Sequence, residues 1–246
     1  MRWTPGNISS DVEDRRGAGG GQPGAETQTA APTNESAEER QRAEFISDVL
    51  DENQETWTQI FQQEGLQYQR AKLVLFRDIT QTSCGTGQAA SGPFYCPADG
   101  KVYLDLGFMD ELDRRFGAPG DVAQAYVVAH EIGHHVQNLV GTSDRVHEAM
   151  QSDRRNANEY SVRLELQADC YAGIWAASAS KRGILETGDV EEALGAASAV
   201  GDDQMQKMSG RSVNPDAFTH GSAAQRMEWF QRGLQSGTLR SCDTFK

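Results

Sequence analysis

The sequence is short of three things, and each shortage excludes a class of function. Long apolar runs are missing: nowhere do the roughly 18 consecutive apolar residues of a membrane-crossing helix occur, and Met1-Arg2-Trp3-Thr4-Pro5-Gly6 lacks the apolar core of a secretory signal peptide. The chain as given therefore reads as soluble, with no membrane span. Basic charge is scarce as well. Lys and Arg number 23 against 36 Asp and Glu, a net charge of −13, so no surface suited to nucleic-acid phosphates or anionic lipid is expected. Solubility explains such a balance, as would attraction of basic substrates. Cysteine is limited to Cys84, Cys96, Cys170 and Cys242, none of them in a CxxC pair, which removes zinc ribbons and thioredoxin-type redox motifs. Two disulfides stay open to the chain.

What is present divides into a leader and one domain. A length of 246 residues suits a single catalytic domain with a tail. Residues 1–37 are rich in Gly, Pro, Ser, Thr and charge, as in Gly17-Ala18-Gly19-Gly20-Gly21-Gln22-Pro23-Gly24, with too little apolar surface to offset the entropy of ordering. A disordered leader is expected there, and the domain over 38–246. From Ala37 the pattern turns helical, with Phe45, Val49, Trp57, Ile60 and Phe61 along one side. Lys72-Leu73-Val74-Leu75-Phe76 and Lys101-Val102-Tyr103-Leu104-Asp105-Leu106 read as strands of one small sheet, the second following the turn-like Asp99-Gly100. Between them lies a loop that a Cys84–Cys96 link would close; two free thiols are the alternative. After Gly107 the signals are helical, at about 108–116, 121–140, 153–180, 189–208 and 215–236. Strands early and helices late indicate an α+β domain rather than a doubly wound sheet.

The chemistry concentrates at His130-Glu131-Ile132-Gly133-His134. Four residues of α-helix turn through about 400°, so the two imidazoles project from one face and can share a metal ion. Glu131, one residue on, is offset to take a proton from water on that ion. With 5 His in the chain, an HExxH run arises by chance on the order of once in a hundred such sequences. The plainer reading it has to beat is two surface histidines on a polar face. Asp121 offers an N-cap, Gly141 a C-cap, and Tyr126, Val127, Ile132 and Val136 supply packing. Gly133 costs about 1 kcal/mol against Ala inside a helix, which calls for a close backbone or the metal as its reason.

A catalytic zinc takes three protein ligands and keeps one position open. The metzincin extension needs Gly and His three and six residues after the second ligand; Gln137 and Val140 stand there instead. The search moves to the next helix, where Glu165 and Asp169 lie one turn apart on one face. Glu165 is the candidate third ligand, and Asp169 the acceptor that fixes a ligating histidine's tautomer. A solvated acid pair is the ordinary alternative. Glu159, His147 and Glu148 are weaker candidates, and His135, about 100° round the helix from His134, reads as a packing or surface histidine. His220, at the start of the last helix with Arg226, could donate to the oxyanion of a tetrahedral intermediate, against a simple capping or surface role.

On these residues the chain resembles the bacterial neutral zinc metallopeptidases. The matching stretches are Met1-Arg2-Trp3, Asn7 to Arg16 including Val12-Glu13-Asp14-Arg15-Arg16, Gly92-Pro93-Phe94-Tyr95-Cys96-Pro97, Lys101 to Leu106, His130 to Gln137, Glu165 to Cys170 and His220-Gly221-Ser222. The resemblance spans nearly the whole chain. It implies a zincin-like fold with two histidines and a glutamate on zinc, Glu165 and Asp169 matching the Glu-x-x-x-Asp of distant membrane peptidases. Their later His-Pro…Arg element is similar to His220 and Arg226, with Gly221 in place of the proline. Members of the family usually carry one membrane span after the Gly-rich leader, whereas 17–37 is polar here. The resemblance also implies the extracytoplasmic side of a bacterial cell envelope, where a second bridge, Cys170–Cys242, fits an oxidising compartment.

The expected function is that of a zinc endopeptidase with Glu131 as general base, binding its polypeptide substrate as an added strand along Lys101-Leu106. A non-catalytic, zinc-stabilised envelope scaffold is the rival, and a hydrolase of non-peptide amides a third reading. Glu131 argues against the scaffold, because a closed structural site has no use for a base beside the metal.

Overall fold

A computed structural model describes residues 1–17, 35–88, 92–109, 112 and 120–246. Helix α1 (Ala37–Gln63) starts where Ser36 and Glu39 satisfy each other's backbone N–H in a capping box. Its apolar face buries Phe45, Ile46, Val49, Leu50, Trp57 and Phe61 against the rest of the core. A four-stranded sheet follows, built from β1 (Val12–Asp14), β2 (Lys72–Phe76), β5 (Phe94–Cys96) and β6 (Lys101–Asp105) in the order β1-β2-β6-β5. The first three neighbours run parallel, and β5 runs antiparallel to β6. A separate antiparallel hairpin of β3 (Ile79–Thr82) and β4 (Gly85–Gln88) occupies the expected loop.

Two expectations are corrected here. The leader is not disordered over 1–17: Val12, Glu13 and Asp14 pair with Leu73, Val74 and Leu75, and Asp11 takes ion pairs from Arg70 at 2.5 Å and Lys72 at 2.7 Å. Residues 18–34 of that leader lie outside the described residues. Lys101-Leu106 is not an edge, since β6 is hydrogen-bonded to β2 on one side and to β5 on the other. Among the described residues the edge strands of this sheet are β1 and β5.

Among the described residues, six helices, α2 (Asp121–Leu139), α3 (Thr142–Ser152), α4 (Ala157–Lys181), α5 (Asp189–Ala199), α6 (Asp202–Met208) and α7 (Ala223–Ser236), follow Gly120. The fold is α+β, as expected. Sequence signals misplaced several boundaries. Gly120 rather than Asp121 holds the N-cap of α2; Asp121 is the first helical residue, its carboxylate 2.8 Å from the Met1 ammonium, and Glu192 of α5 caps the Ala123 N–H at 2.9 Å. Gly141 ends α2 in the left-handed region, φ 73°, and opens α3, which the sequence concealed as a break. The expected 189–208 helix splits at Gly201, and 215–236 begins only at Ala223. Most of the expected 108–116 helix lies outside the described residues.

Both disulfides form. Cys84–Cys96 ties the hairpin to β5, and Cys170–Cys242 ties α4 to the C-terminal segment, with Cα separations of 5.8 and 5.6 Å. No helix among the described residues is long and apolar enough to cross a membrane.

Candidate metal centre

Helix α2 is buried almost throughout, and α4 crosses it closely enough to bring side chains of both helices together. Gly133 makes the approach possible: a Cβ there would lie 2.9 Å from the Ala168 carbonyl oxygen and 3.1 Å from its Cα. The glycine inside the motif is thus explained by a neighbouring backbone. Beside that contact, Glu165 Oε2 sits 3.1 Å from His130 Nε2 and Glu165 Oε1 sits 3.4 Å from His134 Nε2. One ligand atom from each of His130, His134 and Glu165 lies within 4.8 Å of the others. Three converging donors, two imidazole nitrogens and a carboxylate oxygen, are the ligand types and number of a catalytic zinc site.

Each histidine is oriented from behind. His130 Nδ1 lies 2.9 Å from Asp169 Oδ1. Asp169 is fully buried, and its charge is met by Arg226, whose Nε and Nη2 donate at 2.8 and 3.0 Å, and by the Tyr126 hydroxyl. Arg226 in turn donates to the Val200 carbonyl at 3.1 Å, at the end of α5. His134 Nδ1 lies 2.8 Å from Gln137 Oε1. In both rings Nε2 is the nitrogen turned toward Glu165, the arrangement in which outer partners fix the tautomer and free one lone pair.

The charges follow from this packing. Burial works against a proton on His130, but the carboxylates of Asp169 and Glu165 outweigh it and raise its pKa from 6.5 to about 10. Burial would lift Glu165, yet the two histidines hold it well below the usual carboxylate range. Glu131 goes the other way: burial raises it, against the pull of His134 and His130. A carboxylate whose environment favours its protonated form is suited to accepting a proton.

A cleft of about 900 Å³ opens over the three residues, lined also by Glu131, Phe94, Tyr95 and His220. His220 is half exposed, and its Nδ1 lies 3.1 Å from Asp202 Oδ1. Asp202 Oδ2 also accepts the backbone N–H groups of Thr219, His220 and Gly221, at 2.7, 2.7 and 3.1 Å. Gly221 has φ +93° and donates its N–H, neither of which a proline permits, so the departure from the His-Pro pattern has a backbone cause. His135 does not face the cleft ligands: its Nε2 meets the Gln69 carbonyl at 2.6 Å and its Nδ1 the Tyr95 hydroxyl at 3.1 Å. Glu159 pairs with Arg163 at 2.7 Å. His147 lines the outer cleft on α3, 2.7 Å from Gln151.

The family described as putative neutral zinc metallopeptidase matches residues 19–245. The chain belongs to this family. Among its relatives, the uncharacterized protein YpfJ of Escherichia coli strain K12 is 49% identical over 283 aligned positions, covering 100% of this chain and 99% of YpfJ. An uncharacterized protein of Mycobacterium tuberculosis strain H37Rv is 46% identical over 189 residues, 72% of this chain and 63% of its own length. No solved structure matches the chain. Membership of a zinc metallopeptidase family accords with the cluster of His130, His134 and Glu165, whose donor set suits zinc.

Sequence reasoning missed four residues around this centre. Tyr126 was read as packing and Gln137 only as a mismatch to another motif, although its three-residue spacing from His134 was a usable signal. Gln167 and Asp202 gave no local signal, because their roles depend on contacts with distant segments.

Proposed function

We propose that the chain is a zinc-dependent endopeptidase. The observation that carries the reading is the convergence of His130, His134 and Glu165 within 4.8 Å beside the buried Glu131, with the far nitrogen of each histidine already held. Zinc, when bound, supplies Lewis acidity that makes water nucleophilic near neutral pH and polarises a carbonyl. Glu131 takes the proton of the attacking water and delivers it to the leaving amine. Its raised pKa suits both halves of that transfer. His220, oriented by Asp202, donates from the cleft wall to the developing oxyanion. The substrate lies extended along the outer edge of β5, where Phe94 and Tyr95 reach the cleft. Phe94, Val127, Val146, Met150, Leu164 and Met205 line it, so apolar side chains beside the scissile bond are favoured. The two disulfides support folding on the extracytoplasmic side.

The test is cleavage of a quenched fluorescent peptide library by the zinc-loaded protein and its Glu131→Gln variant. Glu131→Gln is expected to bind one zinc and to lose at least about a thousandfold in kcat/KM, more than one misplaced donor costs. Full activity in that variant sinks the mechanism. Zinc binding with no cleavage by the wild type would favour the scaffold reading. Glu165→Ala is expected to weaken zinc binding, read as metal content after dialysis. One tightly held zinc in that variant would move the third ligand elsewhere.

A further inference from the structure

His134 is held by a partner that more distant segments hold in turn. Gln137 presents Oε1 to His134 Nδ1 at 2.8 Å, while its Nε2 donates to the Leu164 carbonyl at 2.6 Å and to Gln167 Oε1 at 3.2 Å. Gln167 Nε2 then donates to the Cys242 carbonyl at 2.9 Å. A main-chain carbonyl can only accept. With one such group at the far end of each amide, neither glutamine can flip without setting oxygen against oxygen. The polarity therefore runs one way, and the atom left facing His134 Nδ1 is an oxygen. Nδ1 must carry the proton, and Nε2, on the side of Glu165, keeps its lone pair.

Both glutamines are buried, Gln137 completely and Gln167 at 5% exposure, so water does not stand in for a lost amide. Cys242, itself buried, is cross-linked to Cys170, the residue after Asp169. The C-terminal segment thus reaches the centre twice, through the disulfide to α4 and through the amides to α2.

We infer that Gln137 and Gln167 are positioning residues of the metal centre, through which the disulfide-anchored segment at Cys242 sets the tautomer of His134. The inference rests on the reading that His134 Nε2 binds zinc. Two glutamines that merely satisfied buried carbonyls would affect stability and leave zinc affinity alone. Loss of a positioning residue lowers the affinity, and the two losses act through one another.

The experiment measures zinc affinity by competition with a chromophoric chelator for wild type, His134→Ala, Gln137→Leu, Gln167→Leu and the double glutamine variant, with thermal unfolding of the zinc-free proteins as the fold control. Gln137→Leu is expected to lose about 10–100-fold, the range for such outer partners. Gln167→Leu should lose less, because Leu164 still orients Gln137, and the double variant no more than Gln137→Leu. Wild-type affinity in either Gln137→Leu or Gln167→Leu, or losses that multiply in the double variant, overturns the inference. Long-range proton–nitrogen spectra of the zinc-loaded wild type need no variant: Nε2 of His134 is expected on the metal and Nδ1 protonated, and coordination through Nδ1 overturns it as well. Absence of zinc binding by the wild type, or full binding by His134→Ala, removes the reading of the site itself.

Discussion

At the scale of single residues the proposed mechanism separates the candidate metal ligands His130, His134 and Glu165 from His220 on the cleft wall, and Asp202 acts through His220. Its carboxylate accepts three consecutive backbone N–H groups and the His220 ring, so it fixes both the loop and the imidazole on it. The hydrogen bond that the His220 ring gives to the Asp202 carboxylate raises the pKa of His220 against the effect of burial, which favours the ring as a donor. On a peptide that the wild type cleaves, His220→Ala is expected to lower kcat by about 10²–10³ with KM little changed, as for removal of an oxyanion donor. Asp202→Asn retains acceptors for the backbone and should show a smaller loss, again in kcat. A change confined to KM in both would reassign the pair to substrate binding. Of these residues, His220 stood out in the sequence beside Arg226 at the start of the last helix, and the structure brings it to the cleft wall. Asp202 was not, since a single acid opening a short helix has many structural uses.

At the scale of elements, the centre depends on how closely α2 and α4 pack. Gly133→Ala tests that spacing. Helix propensity alone predicts a gain of about 1 kcal/mol. The new Cβ, however, would stand 2.9 Å from the Ala168 carbonyl oxygen, and backbone cannot swing aside as a flexible side chain can. Overpacking of this kind costs about 1–3 kcal/mol, so the variant is expected to be less stable and to bind zinc more weakly, because α4 carries both Glu165 and Asp169. Urea unfolding and chelator competition read the two effects; a more stable variant with unchanged zinc affinity would show the contact to be soft. The two helices and their shared face were readable from the four-residue spacings of His130 with His134 and of Glu165 with Asp169. Their ends were not. Gly141 closes one helix and opens another in a single left-handed residue, and Gly201 breaks a continuous helical pattern because a Cβ there would lie 2.3 Å from the Ala223 nitrogen. Such events are set by tertiary contact rather than by local propensity.

At the scale of the molecule, the amino-terminal arm shows why low hydrophobicity is an incomplete guide to disorder. Residues 1–17 bury few apolar side chains, yet β1 supplies a parallel ladder to β2 and a row of charges that find partners. Glu13 meets Lys101 at 2.6 Å and Arg15 at 2.8 Å, Arg16 meets Glu35 at 2.7 Å across the start of α1, and Asp11 meets Arg70 and Lys72. Asp11 carries a consequence for pH. Burial would raise its pKa, but the two cations outweigh burial and hold it below its ordinary 3.8. A carboxylate whose folded pKa is depressed adds stability above its unfolded pKa and loses that contribution as pH falls through the folded value. Asp11→Asn is therefore expected to be less stable than wild type by a constant margin from neutrality down to about pH 5, a margin that narrows as pH falls through the unfolded pKa of about 3.9 and closes below the folded one. Denaturant midpoints of both proteins across that range read the difference. A margin that stays full at the lowest pH would mean that Asp11 acts through its backbone and packing, and one absent at neutral pH would mean that the arm is held without it.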